Sequence, residues 1–473
     1  MWLTLQNLYT TISKATPEEL GWMWKFLSYE DPQKERVTGS GTVRLISERH
    51  KRFQTGLVPL VEKHAKAAGF DVQRIDKRDR PHPLPWDQHA AQADLDWLKT
   101  RQIDGEPYQY DAVKCALRSG RGIVRVPTGG GKGEIVVGLC KAIPCRWLFL
   151  VHRSHLAEDI QNRWEKRGDG TGHVWLGKDG WEPGERVSFC TFQTLYRALR
   201  NPKCKNALSK IEGVIVDECH VLPAGSFSEV SEALINAYYR IGLSGTPLER
   251  SDGRGLLAIA QTGPVLYNVT PKSLMDAGYV ASATVHITDV KQQMPKGLRR
   301  SWATVRKHAI AQSKVRNAAV LRDVMRCPKP AMVFVDLLSH GRILRDAIRS
   351  AGFSVEFAWG KTDKQYRKRL VERCKNGSLE VLVANGVFRE GVDIPNLESV
   401  VYASGMKSPI QVIQGAGRGS RVTDDKKTFH IYDYRDSGAP YIGAHSAERI
   451  RIYSRYGYSV VENVTDITKT KKK

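Results

Sequence analysis

The chain is 473 residues long and carries 73 Lys plus Arg against 50 Asp plus Glu, a formal net charge of +23. At roughly 100–200 residues per domain this calls for two to four domains, and 41% hydrophobic residues can fill their cores, which excludes a disordered polyelectrolyte and a collagen-like fibre. No apolar run of about 18 residues and no signal peptide is read, so a soluble, cytoplasmic protein is expected; eight scattered cysteines without a CxxC pair signal neither a zinc knuckle nor a disulfide framework.

In chain order, residues 1–95 read as a small α+β accessory unit, with helical patterns over 17–26 and 53–68, a strand near 41–46 and a proline-rich connector from Arg80. From about residue 105, β-branched runs alternate with longer amphipathic stretches, the pattern of parallel strands joined by crossover helices. Strands are expected at 122–126, 147–151, 187–190, 213–216 and 240–243, then at 331–335, 354–357, 380–383, 399–403 and 428–432. Two such series predict an α/β fold with two doubly wound domains, 105–280 and 281–473, the second ending in a basic tail. The charge excess lies beyond residue 100 and is densest over 291–326, where ten Lys or Arg face Asp323 alone. A field of that sign attracts nucleic acid, although such a run is equally an ordinary solvated face.

The first expected strand of this region runs into Pro127-Thr-Gly-Gly-Gly-Lys-Gly-Glu134 and then a helical pattern. This is a phosphate-binding loop: Thr128, Gly129, Gly130 and Gly131 let backbone N–H groups approach phosphate oxygens, and Lys132 supplies a point charge. Gly133 stands where a Ser or Thr hydroxyl normally ligates Mg²⁺; water or the adjacent Glu134 are the two substitutes for it, and Gly133→Thr is expected to leave turnover similar or raise it. Further on, an apolar run ends in Asp217-Glu-Cys-His220. At the end of a parallel strand, Asp217 can hold Mg²⁺ while Glu218 orients and deprotonates the attacking water, with His220 as a relay. Leu243-Ser-Gly-Thr-Pro247 follows another strand, and Ser244 and Thr246 are suited to hydrogen-bond the acidic motif.

In this order the three motifs resemble those of superfamily 2 helicases of the DExH type. Val383-Ala-Asn-Gly-Val-Phe-Arg-Glu-Gly-Val-Asp-Ile-Pro395 resembles motif V and Gln414-Gly-Ala-Gly-Arg-Gly-Ser-Arg421 motif VI. The resemblance implies two RecA-like domains closing on ATP and Mg²⁺, with Arg418 and Arg421 as arginine fingers, Gln414 beside them, and Gly391 and Asp393 at the nucleotide. It implies adenine recognition by Tyr108-Gln109, and backbone contacts to nucleic acid by His152-Arg153, by Thr191, Gln193 and Thr194, and by Gly360-Lys361-Thr362. Motif details are similar to the phage UvsW, XPB and restriction-motor branch, which implies a motor, monomeric on DNA, that unwinds or branch-migrates forked and junction DNA, in a phage-infected cell; residues 1–95, as a DNA-binding accessory domain, and the basic run 291–326 are then the candidates for gripping the duplex flank of the junction. RNA or R-loop remodelling and a weakly hydrolysing ATP-gated clamp are the alternatives.

Overall fold

The computed structural model describes residues 1–30, 41–81, 93–168, 170, 172–175, 186–219, 225–245, 255–294, 297, 301–385, 394, 396–407 and 428–463. They form two compact units, one of residues 1–127 and 131–269, the other of residues 128–130 and 270–473.

The first unit opens with β1 (Trp2–Leu5), β2 (Tyr9–Ser13), β3 (Ser28–Glu30), β4 (Thr42–Arg44), β5 (Ile46–Ser47), β6 (Arg52–Gln54) and β7 (Gln73–Asp76). Five of these make a mixed sheet ordered β5-β6-β2-β1-β7, and β3 pairs with β4 as a separate hairpin. The helix Pro17–Phe26 begins where the sequence places it because Thr16 accepts from the Glu19 N–H while the Glu19 carboxylate accepts from the Thr16 N–H at 2.7 Å. Its Met23, with Val61 and Ala65 of the helix Val58–Ala67, packs among Leu3, Leu5, Ile12 and Phe53.

That core continues into the helix Gly255–Thr262, which flanks the neighbouring sheet. Ala260 belongs to it, and a Cβ added at Gly56 would lie 2.2 Å from the Ile259 carbonyl oxygen, so backbone meets backbone with no room for a side chain. Arg121, buried without a carboxylate, donates to the carbonyls of Asn7 (3.2 Å), Gln261 (3.1 Å) and Thr262 (3.2 Å). The accessory sheet is therefore tied to the sheet that follows by packing and by a guanidinium that satisfies three carbonyls at once.

That second sheet contains β8 (Arg121–Arg125), β9 (Trp147–Val151), β10 (His173–Trp175), β11 (Val187–Thr191), β12 (Gly213–Asp217), β13 (Tyr239–Ser244) and β14 (Val265–Asn268). It is parallel throughout, in the order β10-β11-β9-β12-β13-β8-β14. Strands covered on both faces read as continuous apolar runs, which is why Trp147–Val151 was legible. The second unit repeats the plan with β15 (Ser282–Lys291), β16 (Ala331–Val335), β17 (Val355–Ala358), β18 (Val381–Asn385), β19 (Ser399–Val401), β20 (Thr428–Ser437) and β21 (Ser459–Asn463), ordered β17-β18-β16-β19-β20-β15-β21 and again parallel. The chain is thus α/β, with tandem RecA-like sheets preceded by a small mixed sheet.

Two ion pairs lie inside the second unit. Arg449 grips Asp433 with two nitrogens, at 2.8 and 2.9 Å, and Arg316 reaches Asp436 at 2.9 Å, all four side chains being no more than 1% exposed. Arg316 belongs to the basic run read as a binding face, and here it is core. Its guanidinium also donates to the carbonyls of Ala403 and Ser404. No helix among the described residues is long and apolar enough to cross a membrane, and the eight cysteines are free, all but Cys115 buried.

Candidate nucleotide and nucleic-acid site

Because every strand of the first RecA-like sheet runs the same way, the segments after β8, β9, β11, β12 and β13 emerge on one edge. The register makes the neighbours specific. Arg125 pairs with Ser244, Asp217 with Leu243, and Thr191 with Val151.

The phosphate loop leaves β8 and enters the helix Lys132–Ala142. Gly129 (φ 87°) and Gly131 (φ 84°) take the left-handed conformation that a side chain would strain. Gly131 is the N-cap and provides no side-chain cap, so the dipole and first N–H groups of the helix suit an anion. Gln109, only 2% exposed, presses on this loop: a Cβ at Gly131 would lie 2.1 Å from its Nε2. Tyr108 is 1% exposed beside it, and Arg101 lies 4.0 Å from the same point, a residue the sequence reading missed because it belongs to no motif.

Lys132 Nζ lies 3.1 Å from Glu218 Oε1, and the buried Ser244 hydroxyl donates to Glu218 Oε2 at 3.4 Å. One residue each from the phosphate loop, the acidic motif and the Ser-Gly-Thr motif therefore meet. Glu218 has φ 49°, an uncommon conformation for a side-chain-bearing residue, as the chain turns off β12. Burial works against the Lys132 charge, but Glu218 and then Asp217 hold its pKa above the ordinary value.

Asp217 is placed differently. Burial, and then the Glu218 charge, push its carboxyl from 3.8 up to about 6, and its Oδ1 is buried with no hydrogen-bond partner among the described residues. An unsatisfied carboxylate oxygen beside a phosphate loop fits a divalent cation, for which Asp217 would be the protein ligand. A carboxyl raised in the folded state adds stability that is complete below pH 3.8 and is lost as pH rises through about 6. Asp217→Asn is therefore expected to be more stable than the parent at pH 8, by about 1–2 kcal/mol for this partly exposed group, with the difference gone near pH 4. Urea unfolding at both pH values, without metal, checks this; equal stabilities at pH 8 would show that the charge carries no such cost.

Glu134 does not serve the loop. Its two oxygens accept from Arg163 (2.9 Å) and Arg167 (2.7 Å) of the helix Ser154–Arg167, a pair spaced four residues apart that the sequence reading did not connect to the loop. Gly133 lies under the same helix, and a Cβ there would be 3.0 Å from Ile160 Cδ1 and 3.1 Å from Arg163 Cδ. The expectation that threonine is neutral at this position is revised accordingly. Gly133→Thr should cost about 1–3 kcal/mol through overpacking, lowering both the melting temperature and ATP turnover, and Gly133→Ser should cost less. A threonine variant that melts with the parent would overturn this.

His152 and Arg153 follow β9, and Thr191 ends the adjacent β11, where its side chain caps the helix Phe192–Ala198 by accepting from the Thr194 N–H at 3.2 Å. The Thr191 and Thr194 hydroxyls lie 2.8 Å apart, and Gln193 is exposed. In the second unit Gly360, Lys361 and Thr362 follow β17, with the Thr362 hydroxyl accepting from the Trp359 N–H at 2.9 Å and Lys361 exposed. His220, Thr246, Gly391, Asp393, Gln414, Arg418 and Arg421 lie outside the described residues.

The family model described as "Type III restriction enzyme, res subunit" matches residues 96–249, and "Helicase conserved C-terminal domain" matches residues 317–423. The chain belongs to the superfamily 2 helicases. Within that family it is similar to the ATP-dependent DNA helicase uvsW of Enterobacteria phage T4, 24% identical with 84% of this chain and 82% of the relative aligned. It is also similar to the DNA 3'-5' translocase XPB2 of Sulfurisphaera tokodaii, 26% identical over 68% of this chain and 80% of the relative. A third relative, putative helicase 22 of a Sulfolobus islandicus filamentous virus, is 25% identical over 71% of this chain, which spans 65% of its length. Among solved structures, the fragment of a putative HsdR subunit of a type I restriction enzyme from Vibrio vulnificus YJ016 shares the fold, with TM-score 0.57, 20% identity, and 78% of this chain and 71% of that one covered.

Proposed function

We propose that this helicase is an ATP- and Mg²⁺-dependent DNA translocase that unwinds or branch-migrates forked and junction DNA. The observation that carries the reading is the meeting of Lys132, Glu218 and Ser244 at the strand edge that also bears His152, Arg153 and Thr191. In this reading the phosphate loop receives the ATP phosphates, with Gln109 beside the adenine. Lys132 leaves Glu218 for the terminal phosphates, and Glu218, released, takes a proton from the attacking water. Bound Mg²⁺, held by Asp217, supplies charge neutralisation at the phosphates. Ser244 keeps the Glu218 carboxylate oriented and passes its state to the neighbouring strand ends. Arg418 and Arg421, with Gln414, Gly391 and Asp393, are proposed to complete the nucleotide site, and His220 and Thr246 to relay. His152, Arg153, Thr191, Gln193, Thr194 and Gly360 to Thr362 hold backbone phosphates, which fix position without reading sequence.

DNA is preferred as the track because two relatives, matched over 80% and 82% of their length at 26% and 24% identity, are named for DNA. A weakly hydrolysing clamp is the second reading, favoured by one observation: Gly133 offers no hydroxyl and Glu134 is held by two arginines, so neither of these two positions brings a side-chain oxygen to the metal. Steady-state ATPase with Mg²⁺, compared without nucleic acid and with single strand, duplex, fork, four-way junction and RNA at one salt concentration, tests both. Stimulation by forks and junctions is the expected result. Greater stimulation by RNA would move the track to RNA, and tight ATP-dependent junction binding with negligible turnover would make the protein a clamp.

A further inference from the structure

One face of the accessory sheet packs on its helices. The strand registers place Trp2, Thr4, Tyr9, Thr11, Ser13, Ser47, Arg52, Gln54, Gln73 and Ile75 on the opposite face, where Thr11, Ser13, Arg52 and Gln73 are exposed and the others half-buried. No acid stands among these ten positions. Both aromatic residues carry a cation over the ring: Lys14 Nζ is 4.1 Å from the Trp2 centroid, and Arg52 Cζ is 4.2 Å from that of Tyr9. Burial and then the nearby Glu232 carboxylate hold the Tyr9 hydroxyl pKa above its ordinary value, so an acid stands near the rim of this ring.

Two aromatic residues on one antiparallel face are commonly cross-strand packing. Here they are not a cross-strand pair. Trp2 lies opposite Ser13, four residues along β2 from Tyr9, so the rings stand about 14 Å apart with Thr4, Thr11 and Ser13 around the path between them. Separated rings, each with its own cation, amid hydroxyl and amide groups on strand positions that carry no acid of their own, match the chemistry of an unpaired polynucleotide: bases stack on the rings, cations take the phosphates, and short polar groups tolerate any sequence. A duplex, whose bases are already stacked, gains nothing from the rings. We propose that this face is a second binding surface for single-stranded DNA, holding the strand exposed when a fork or junction is opened.

This inference rests on the helicase reading above, and the test separates the two. The full chain without ATP is photocross-linked to an iodouracil-substituted single strand of about 8–16 nucleotides, and the cross-linked peptides are mapped. Cross-links at Trp2 or Tyr9 are expected; cross-links confined to residues beyond 95 would overturn the proposal. In parallel, Trp2→Ala/Tyr9→Ala should weaken single-strand affinity at least about tenfold and blunt-duplex affinity less than twofold, at unchanged secondary structure. Tyr9→Phe, which keeps the stacking surface and removes only the hydroxyl, should bind like the parent. Equal losses on duplex and single strand, or a phenylalanine variant as weak as alanine, would each overturn it. Lys14→Gln/Arg52→Gln should reduce the salt dependence of single-strand binding by about one to two ion equivalents, and an unchanged slope would count against the cations. Were wild-type ATPase indifferent to every nucleic acid, the helicase reading would fall instead.

Discussion

Glu218→Gln is expected to lower single-turnover ATP hydrolysis by about 10²–10⁴-fold, the range a general base contributes, while leaving nucleotide affinity within a few-fold. The amide fills the same volume: its oxygen can still accept from Lys132, which lies 3.1 Å from the carboxylate, and its nitrogen can donate to the Ser244 hydroxyl oxygen, now 3.4 Å away. What it cannot do is take a proton. Lys132→Ala should lose turnover to a similar degree and nucleotide affinity with it, because that ammonium is the loop's point charge, and its removal takes a cation from the adjacent acids Asp217 and Glu218. Rapid-quench hydrolysis beside fluorescent-nucleotide binding separates the two variants. A glutamine variant keeping more than about a tenth of the parent rate would mean that another group serves as base.

The second large effect is on stability. Arg449→Met should destabilise the second unit by about 3–5 kcal/mol, because removing one partner strands a buried charge. Asp433 would keep only the Tyr453 hydroxyl, at 3.0 Å, and its neighbouring backbone N–H, and the carbonyls of Met406 and Tyr434 would lose their donor. Arg449→Met/Asp433→Leu should recover a large part of the loss, since an apolar pair of similar volume can replace a buried ion pair. Urea unfolding of the parent, the single and the double variant checks this. A single-variant loss under about 1 kcal/mol would show that the pair is dispensable. The same arginine and Arg316 hold the backbone from Ala403 to Met406, immediately before the segment bearing Gln414, Arg418 and Arg421. In the proposed function those residues complete the nucleotide site, so a destabilised second unit is expected to lower ATPase as well.

Much of this protein was legible from its sequence by itself. The strands Trp147–Val151 and Ala331–Val335 stand where their apolar runs placed them, and the helix Pro17–Phe26 where its helical pattern did. The phosphate loop, the acidic pair and Ser244 followed from residue type, since glycines before a helix and acids after a strand have local chemical uses. These features are short-range: periodicity, caps and loop chemistry act over a few residues, and parallel order then carries the motifs to one edge. Tertiary structure alone decided the rest. Whether a basic residue faces solvent or is buried depends on what lies across the fold, and Arg316 meets an aspartate 120 residues away. In the same way, only packing shows that Glu134 belongs to Arg163 and Arg167, that a methyl group at Gly133 meets Ile160, and that Trp2 and Tyr9 share one face of the accessory sheet. Each of these depends on contacts between distant segments, for which the local sequence carries no periodic or positional signal.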